Sequence, residues 1–152
     1  MKNISLMNYT KFKALLGEAK RASDPMWCKI IYRPLSFPIG WFFYKIGMKA
    51  NSISLLSILL AFIASLIIIL GSSDYIVIAS FLMIFIALLD CIDGNVARAR
   101  DETGPGGEWM DALSGYTVYA LLPVSIGLHL SLYNPYESFP GLWILVGAIT
   151  SI

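Results

Sequence analysis

The chain has 152 residues, of which 57% are hydrophobic and 13% are aromatic. This composition is too apolar for an ordinary soluble domain and indicates a membrane protein. The net charge of +1 gives no sign of a nucleic-acid partner. The charges are unevenly distributed, because residues 1–49 hold nine of the 11 Lys and Arg and only two of the 10 acidic residues.

Residues 1–49 are predicted to form an amphipathic, interfacial segment. Within residues 5–22, apolar side chains recur on one helical face, at Tyr9, Phe12, Leu16 and Ala19. This pattern favours a helix that lies along the membrane surface and ends before Pro25. Residues 27–44 combine seven aromatic residues with two prolines, a composition typical of the lipid headgroup layer.

Residues 50–152 are predicted to form a transmembrane domain. The run from 50 to 73 contains no charge and is long enough to be a membrane helix. The next apolar run, 75–89, would span only about 22 Å, which is short of a hydrocarbon core of about 30 Å. We therefore expect that helix to continue toward residue 97. Its carboxylates would then lie within the membrane thickness, where they require a polar cavity.

The remaining sequence predicts one further complete helix. A polar loop at residues 100–107 leads to a third apolar helix at about 108–130. A turn at 133–140 then precedes a fourth apolar run at 142–152, which is too short to span a membrane. The fold class is therefore predicted to be all-α, a polytopic transmembrane bundle truncated after three to four helices. Because the basic residues gather at one end of the helices, the N-terminal segment and the 100–107 loop are predicted to be cytoplasmic.

An acidic cluster interrupts the apolar sequence between the second and third helices. Asp90, Asp93 and Ala97 are spaced i, i+3, i+7 on one helical face, and Asp111 lies near the start of the next helix. Two carboxylates three residues apart repel each other unless a cation neutralises them. If the two helices pack together, three carboxylates converge as hard oxygen ligands, which suit Mg²⁺ or Mn²⁺.

Two further residues in this cluster favour binding of a phosphate. Gly94 allows a ligand to approach the backbone closely, and Arg98 lies one helical turn further on, where its guanidinium fork can bind a phosphate. A metal, a glycine and an arginine at a lipid interface suggest phosphoryl-type transfer from a diphosphate.

The pattern Asp90-x2-Asp93-Gly94-x2-Ala97-Arg98-x8-Gly107-x3-Asp111 resembles the signature of the CDP-alcohol phosphotransferases, and seven of its eight fixed positions match. The resemblance implies six transmembrane helices in the family, of which this chain covers three to four. It also implies transfer of a substituted phosphate from a CDP-linked donor to an alcohol acceptor, release of CMP, a divalent metal and a homodimer. By the same resemblance, the metal would be held by Asp90, Asp93 and Asp111, and the donor by Asp90, Gly94, Ala97, Arg98 and Gly107. A weaker contact with the donor is implied at Asn51 and Ser54.

The eighth position departs from the signature. Gly115 stands where the family carries a further aspartate, which serves as a metal ligand and as the base for the acceptor hydroxyl. Loss of such a base costs roughly 10²–10⁴-fold in rate. Glu108, one turn before Asp111, is the candidate substitute, and a substrate group or metal-bound water is another. The candidate catalytic residues are therefore Asp111 and Glu108.

Three functions remain open from the sequence. The first is an enzyme of phospholipid biosynthesis in the inner or plasma membrane, with CDP-diacylglycerol or another CDP-alcohol as donor. The second is a relative that binds CDP-lipid and metal without efficient turnover. The third is a cation transporter, which the phosphate-binding pattern around Arg98 disfavours. The identity of the acceptor alcohol stays open. Glu102 is predicted to be a solvated loop residue. Cys28 and Cys91 are predicted to act as small apolar residues that fill space in the packing.

Overall fold

The computed structural model describes residues 7–15, 24–71 and 73–133, together with 146 and 148–149. All regular elements in this part of the chain are helices, which confirms the predicted all-α membrane fold. The predicted turn at 133–140 and the fourth apolar run at 142–152 lie outside the described residues, except for residues 133, 146 and 148–149.

The described residues of the N-terminal segment form two α-helices. Helix α1 covers Tyr9–Ala14, a shorter helix than the predicted 5–22, although residues 5–6 and 16–22 lie outside the described part. A π-helical turn, Cys28–Tyr32, leads directly into helix α2, Arg33–Lys45. Pro34 lies in the first turn of α2 and Pro38 lies inside it, so this aromatic and proline-containing segment is helical.

Within the described residues three longer helices follow, and each is long and apolar enough to cross a membrane. They are α3 (Ala50–Leu70), α4 (Ser73–Arg100) and α5 (Pro105–Tyr133). The prediction that the second membrane helix continues past its acidic residues is confirmed, since α4 runs to Arg100. Helix α5 begins three residues earlier than the predicted 108, because Pro105 occupies its first position, where proline is favoured.

The chain divides into two compact units, and the first comprises the described residues of Met1–Leu56 and Ala87–Asp111. Its buried apolar side chains come from α1, α2, the start of α3 and the end of α4, and include Phe12, Phe37, Tyr44, Ile53, Leu89, Ile92 and Val96. Gly40 permits this packing, because a Cβ atom there would lie 3.3 Å from Phe12 and 3.6 Å from Ile92. The N-terminal segment therefore packs directly against the end of α4 that carries the acidic motif.

The second unit comprises the described residues of Ser57–Ile86 and Ala112–Ile152. Its core is built on Ala61, Ala64 and Ile86, with larger apolar side chains packed around them. Small residues at such contacts let helix backbones approach closely, which is the usual basis of helix packing in membranes.

Candidate functional site

The first unit contains a cavity of about 190 Å³. The start of α3, the end of α4, the connecting loop and the start of α5 form its walls. The residues that line it are Ala50, Asn51, Ser54, Asp93, Gly94, Ala97, Arg98, Glu102, Thr103, Gly104, Gly107, Glu108 and Asp111. This set includes seven of the eight predicted site residues, and both positions at which a weaker donor contact was predicted.

Asp90 is the predicted site residue that does not line this cavity. Its side chain is exposed on α4, whereas Asp93, three residues later, is buried. Across the described part of the chain, no three His, Cys, Asp or Glu side chains are grouped closely enough to hold a metal ion. The metal-binding role of Asp90, Asp93 and Asp111 therefore stays a prediction.

Asp93 is the most buried carboxylate of the cavity, with 3% of its surface exposed. One of its oxygens, Oδ2, accepts a hydrogen bond of 2.7 Å from Ser54 Oγ. The other oxygen, Oδ1, is buried and has no hydrogen-bond donor among the described residues. A buried carboxylate oxygen without a donor is costly unless a proton or a cation satisfies it. Asp111 and Glu108 line the same cavity, and carboxylate oxygens are the type of ligand that Mg²⁺ and Mn²⁺ prefer.

Glu102 is also part of the cavity wall, so the prediction of a solvated loop residue was wrong. Its side chain is half-buried, and Oε2 accepts a hydrogen bond of 3.1 Å from the backbone N–H of Ala50, at the start of α3. Its own N–H donates to the carbonyl oxygen of Ala97 at 2.9 Å. The preceding Asp101 adopts a left-handed conformation with φ of 62°, which turns the chain out of α4. Glu102 thus joins the ends of α3 and α4.

Arg98 lines the cavity next to Gly94. A Cβ atom at Gly94 would lie 3.5 Å from both terminal nitrogens of the Arg98 guanidinium, an ordinary van der Waals contact, so the guanidinium lies beside the backbone of Gly94. Arg98 Nη2 donates a hydrogen bond of 2.8 Å to Asn95 Oδ1. The sequence indicated a functional role for Arg98 but did not indicate one for Asn95.

A second arginine, Arg33 of the N-terminal segment, lies close to the same Asn95 oxygen as Arg98. Arg33 is buried and donates from Nε and Nη2 to the two oxygens of Asp24, at 2.6 Å and 3.1 Å. Burial alone lowers the pKa of Arg33, but the hydrogen bond to Asp24 and the charges around it raise that pKa above its ordinary value. Arg33 therefore stays charged, and Asp24 pairs with it.

The two cysteines meet where the N-terminal segment packs against α4. Their Sγ atoms lie 3.6 Å apart and both thiols are free. Nearby, Arg100 Nη2 donates to the carbonyl oxygen of Tyr44 at 3.2 Å, and its guanidinium lies 5.4 Å from the centre of the Tyr44 ring. These contacts fix the N-terminal segment beside the end of α4.

Comparison with known proteins identifies one family for this chain. The model of the CDP-alcohol phosphatidyltransferase family matches residues 48–151. This range covers more than half of the chain and includes every residue that lines the cavity. A search of curated proteins gives no match.

Proposed function

This chain belongs to the CDP-alcohol phosphatidyltransferase family, and on that premise we propose that it transfers a substituted phosphate from a CDP-linked donor to an alcohol. The transferred group is phosphatidyl, CMP is released, and the product is a phospholipid. The observation that carries the proposal is the composition of one cavity. Of the seven residues that match the signature, six line it, namely Asp93, Gly94, Ala97, Arg98, Gly107 and Asp111, and Glu108 lines it beside them.

The cavity offers the chain's own groups for donor binding. Arg98 supplies a positive charge and a planar fork of N–H donors, which suit the diphosphate of a CDP-linked donor. Gly94 and Gly107 both line the cavity and have no side chain, so a bulky phosphate can approach the backbone closely.

A divalent cation is proposed to bind at Asp93 and Asp111, with Asp90 as the further ligand expected from the signature. The buried Oδ1 of Asp93, which lacks a donor among the described residues, supports this assignment. A bound Mg²⁺ or Mn²⁺ would supply charge stabilisation to the leaving phosphate.

Deprotonation of the acceptor hydroxyl is the step for which the chain lacks the expected group. Gly115 occupies the usual position of the base, and we propose that Glu108 replaces it. The carboxylate of Glu108 is exposed and lines the same cavity as Asp111, so it is accessible to an acceptor. The glycine at position 115 also favours a second candidate function, in which the chain binds CDP-lipid and metal without efficient turnover.

The setting of the reaction follows from the helices. The three apolar helices and the family indicate an integral membrane protein. We propose that the cavity opens at the cytoplasmic face, because Lys and Arg are concentrated in the N-terminal segment and near the end of α4. CDP-diacylglycerol is the proposed donor, and a homodimer is the proposed assembly.

The test is release of CMP by the detergent-purified chain, supplied with CDP-diacylglycerol, a panel of alcohols and either Mg²⁺ or Mn²⁺. We expect acceptor-dependent CMP that disappears with EDTA and returns when the metal is restored. Glu108→Gln should lower the rate by roughly 10²-fold or more if Glu108 is the base.

The Gly115→Asp variant separates the two candidate functions. No heavy atom outside the neighbouring backbone lies within 4 Å of a Cβ atom at Gly115, so the start of a side chain has room. CMP from the variant alone would identify a binding protein that has lost its base. Absence of CMP from both proteins, with donor binding also absent, would refute both candidates.

A further inference from the structure

We propose that Asn95 is a positioning residue, which orients Arg98 along the cavity wall while leaving its positive charge available to the donor. Asn95 occupies one of the two positions that the signature leaves open between Gly94 and Ala97. The inference rests on the proposed function, because it specifies how the chain prepares its phosphate-binding arginine.

Both polar atoms of the Asn95 amide form hydrogen bonds. It is buried, with 3% of its surface exposed. Its Oδ1 accepts the hydrogen bond of 2.8 Å from Arg98 Nη2, and its Nδ2 donates a hydrogen bond of 3.1 Å to Ser36 Oγ. Ser36 Oγ in turn donates to the carbonyl oxygen of Arg33 at 3.1 Å. Because Ser36 uses its one hydrogen on that carbonyl, it can only accept from the amide, and Oδ1 must face the guanidinium.

The N-terminal segment also places a second arginine against the same amide oxygen. Arg33 Nη1 lies 3.4 Å from Asn95 Oδ1. Its charge is balanced by the two-pronged pair with Asp24. Arg33 therefore contributes to the orientation of Asn95 without competing as a free cation for the ligand of Arg98.

Arg98 differs from Arg33 in its charge balance. Within the described residues, Arg98 makes no ion pair, and its Nε is buried without a hydrogen-bond acceptor. A neutral amide can therefore fix one nitrogen of the guanidinium while the charge stays unpaired. A carboxylate at the same position would fix the group equally well but would neutralise it, and a phosphate ligand would then have to compete with that ion pair.

Asn95→Asp tests this role directly, because the two side chains have nearly the same shape. The carboxylate can pair with both arginines, but it loses the hydrogen bond that the amide donates to Ser36, so the unfolding temperature should change little. Donor affinity should nevertheless fall by roughly tenfold to a hundredfold, the range expected when a charged hydrogen bond is lost. The fall should appear in KM for the donor and in direct binding of CDP-diacylglycerol, with a smaller change in kcat.

Ser36→Ala is the matched control. It removes the other hydrogen bond of the same amide, while Oδ1 continues to face Arg98 and Arg33, because both guanidinium groups can only donate. We expect a lower unfolding temperature with unchanged donor affinity. If Asn95 has a purely structural role, donor affinity should instead fall wherever the unfolding temperature falls, in both variants.

The measurements are donor binding, steady-state kinetics and thermal unfolding of the detergent-purified full chain and of both variants. Weakened binding in stable Asn95→Asp, with normal binding in Ser36→Ala, supports the positioning role. Equal donor binding by Asn95→Asp and the unmodified chain overturns that role while the proposed function stands. If the unmodified chain does not bind the donor, both the positioning role and the proposed function are overturned, because Arg98 would then bind no phosphate.

Discussion

The substitution Gly107→Ala tests the wall of the cavity at its tightest backbone contact. A Cβ atom at Gly107 would lie 2.9 Å from the carbonyl oxygen of Glu102. Contacts of this kind are favourable at about 3.5 Å or more, so the backbone at one of the two residues must move by roughly half an ångström. Glu102 is not free to move, because it holds Ala97 through its N–H and Ala50 through its carboxylate. Overpacking of this kind costs about 1–3 kcal/mol.

The adjacent residue supplies the control. A Cβ atom at Gly106 meets no other atom within 4 Å, and Gly106 does not line the cavity. Both glycines lie in the first turn of α5, so the helix-propensity gain from alanine, about 0.5–1 kcal/mol, is common to the two variants. The difference between Gly106→Ala and Gly107→Ala therefore isolates the contact with Glu102, at about 1–3 kcal/mol.

The assay compares chemical unfolding of the two variants in the same detergent, together with KM for the donor. We expect Gly106→Ala to match or exceed the stability of the unmodified chain and to keep its KM. Gly107→Ala should be less stable and should bind the donor more weakly, since the displaced loop carries part of the cavity wall. Equal stability and equal KM in the two variants would refute the backbone contact on which this reasoning depends.

Two further predictions concern the packing around Asp93 and the N-terminal segment. Ser54→Ala should cost about 1–3 kcal/mol of unfolding free energy, because it leaves Oδ2 of a buried carboxylate without its donor. The exposed Ser52→Ala control should leave unfolding unchanged, and equal effects of the two substitutions would contradict the assigned hydrogen bond. Mild copper-catalysed oxidation should join Cys28 to Cys91 within one chain, because their Sγ atoms lie 3.6 Å apart. Mass spectrometry would show the loss of two hydrogens, and full alkylation of both thiols after oxidation would contradict this packing.

The membrane helices could be predicted from the sequence because their physical requirements are simple. A charge-free run of 21 residues, as in α3, has few alternatives in a bilayer. The extension of α4 past Asp93 followed from length alone, since the apolar run by itself was too short to span. The start of α5 was predicted three residues too late, because the glycines beside Pro105 indicated a turn. In the structure that proline begins the helix instead.

The partners of the buried polar groups could not be predicted, because they are distant in sequence. Glu102 binds the N–H of Ala50, 52 positions earlier, and Asn95 binds Ser36, 59 positions earlier. Neither pair has a local spacing that would reveal it. The polar residues of the N-terminal segment are equally compatible with contacts to lipid headgroups, so only their packing against α4 identifies their role.

Near its C-terminal end, one face of α4 lines the cavity and another face packs against the N-terminal segment. Four of the five positions that the signature fixes on α4 line the cavity, namely Asp93, Gly94, Ala97 and Arg98, whereas Asp90 does not. The two positions that it leaves open between Gly94 and Ala97, Asn95 and Val96, are buried and do not line the cavity. Asn95 instead contacts the N-terminal segment, so the choice of residue at this position can change with the segment that packs against it. On the proposed role of Asn95, the charge of Arg98 is left without an ion pair by a residue on the face of α4 that does not line the cavity, and a carboxylate at position 95 would weaken donor binding without altering any residue of the lining.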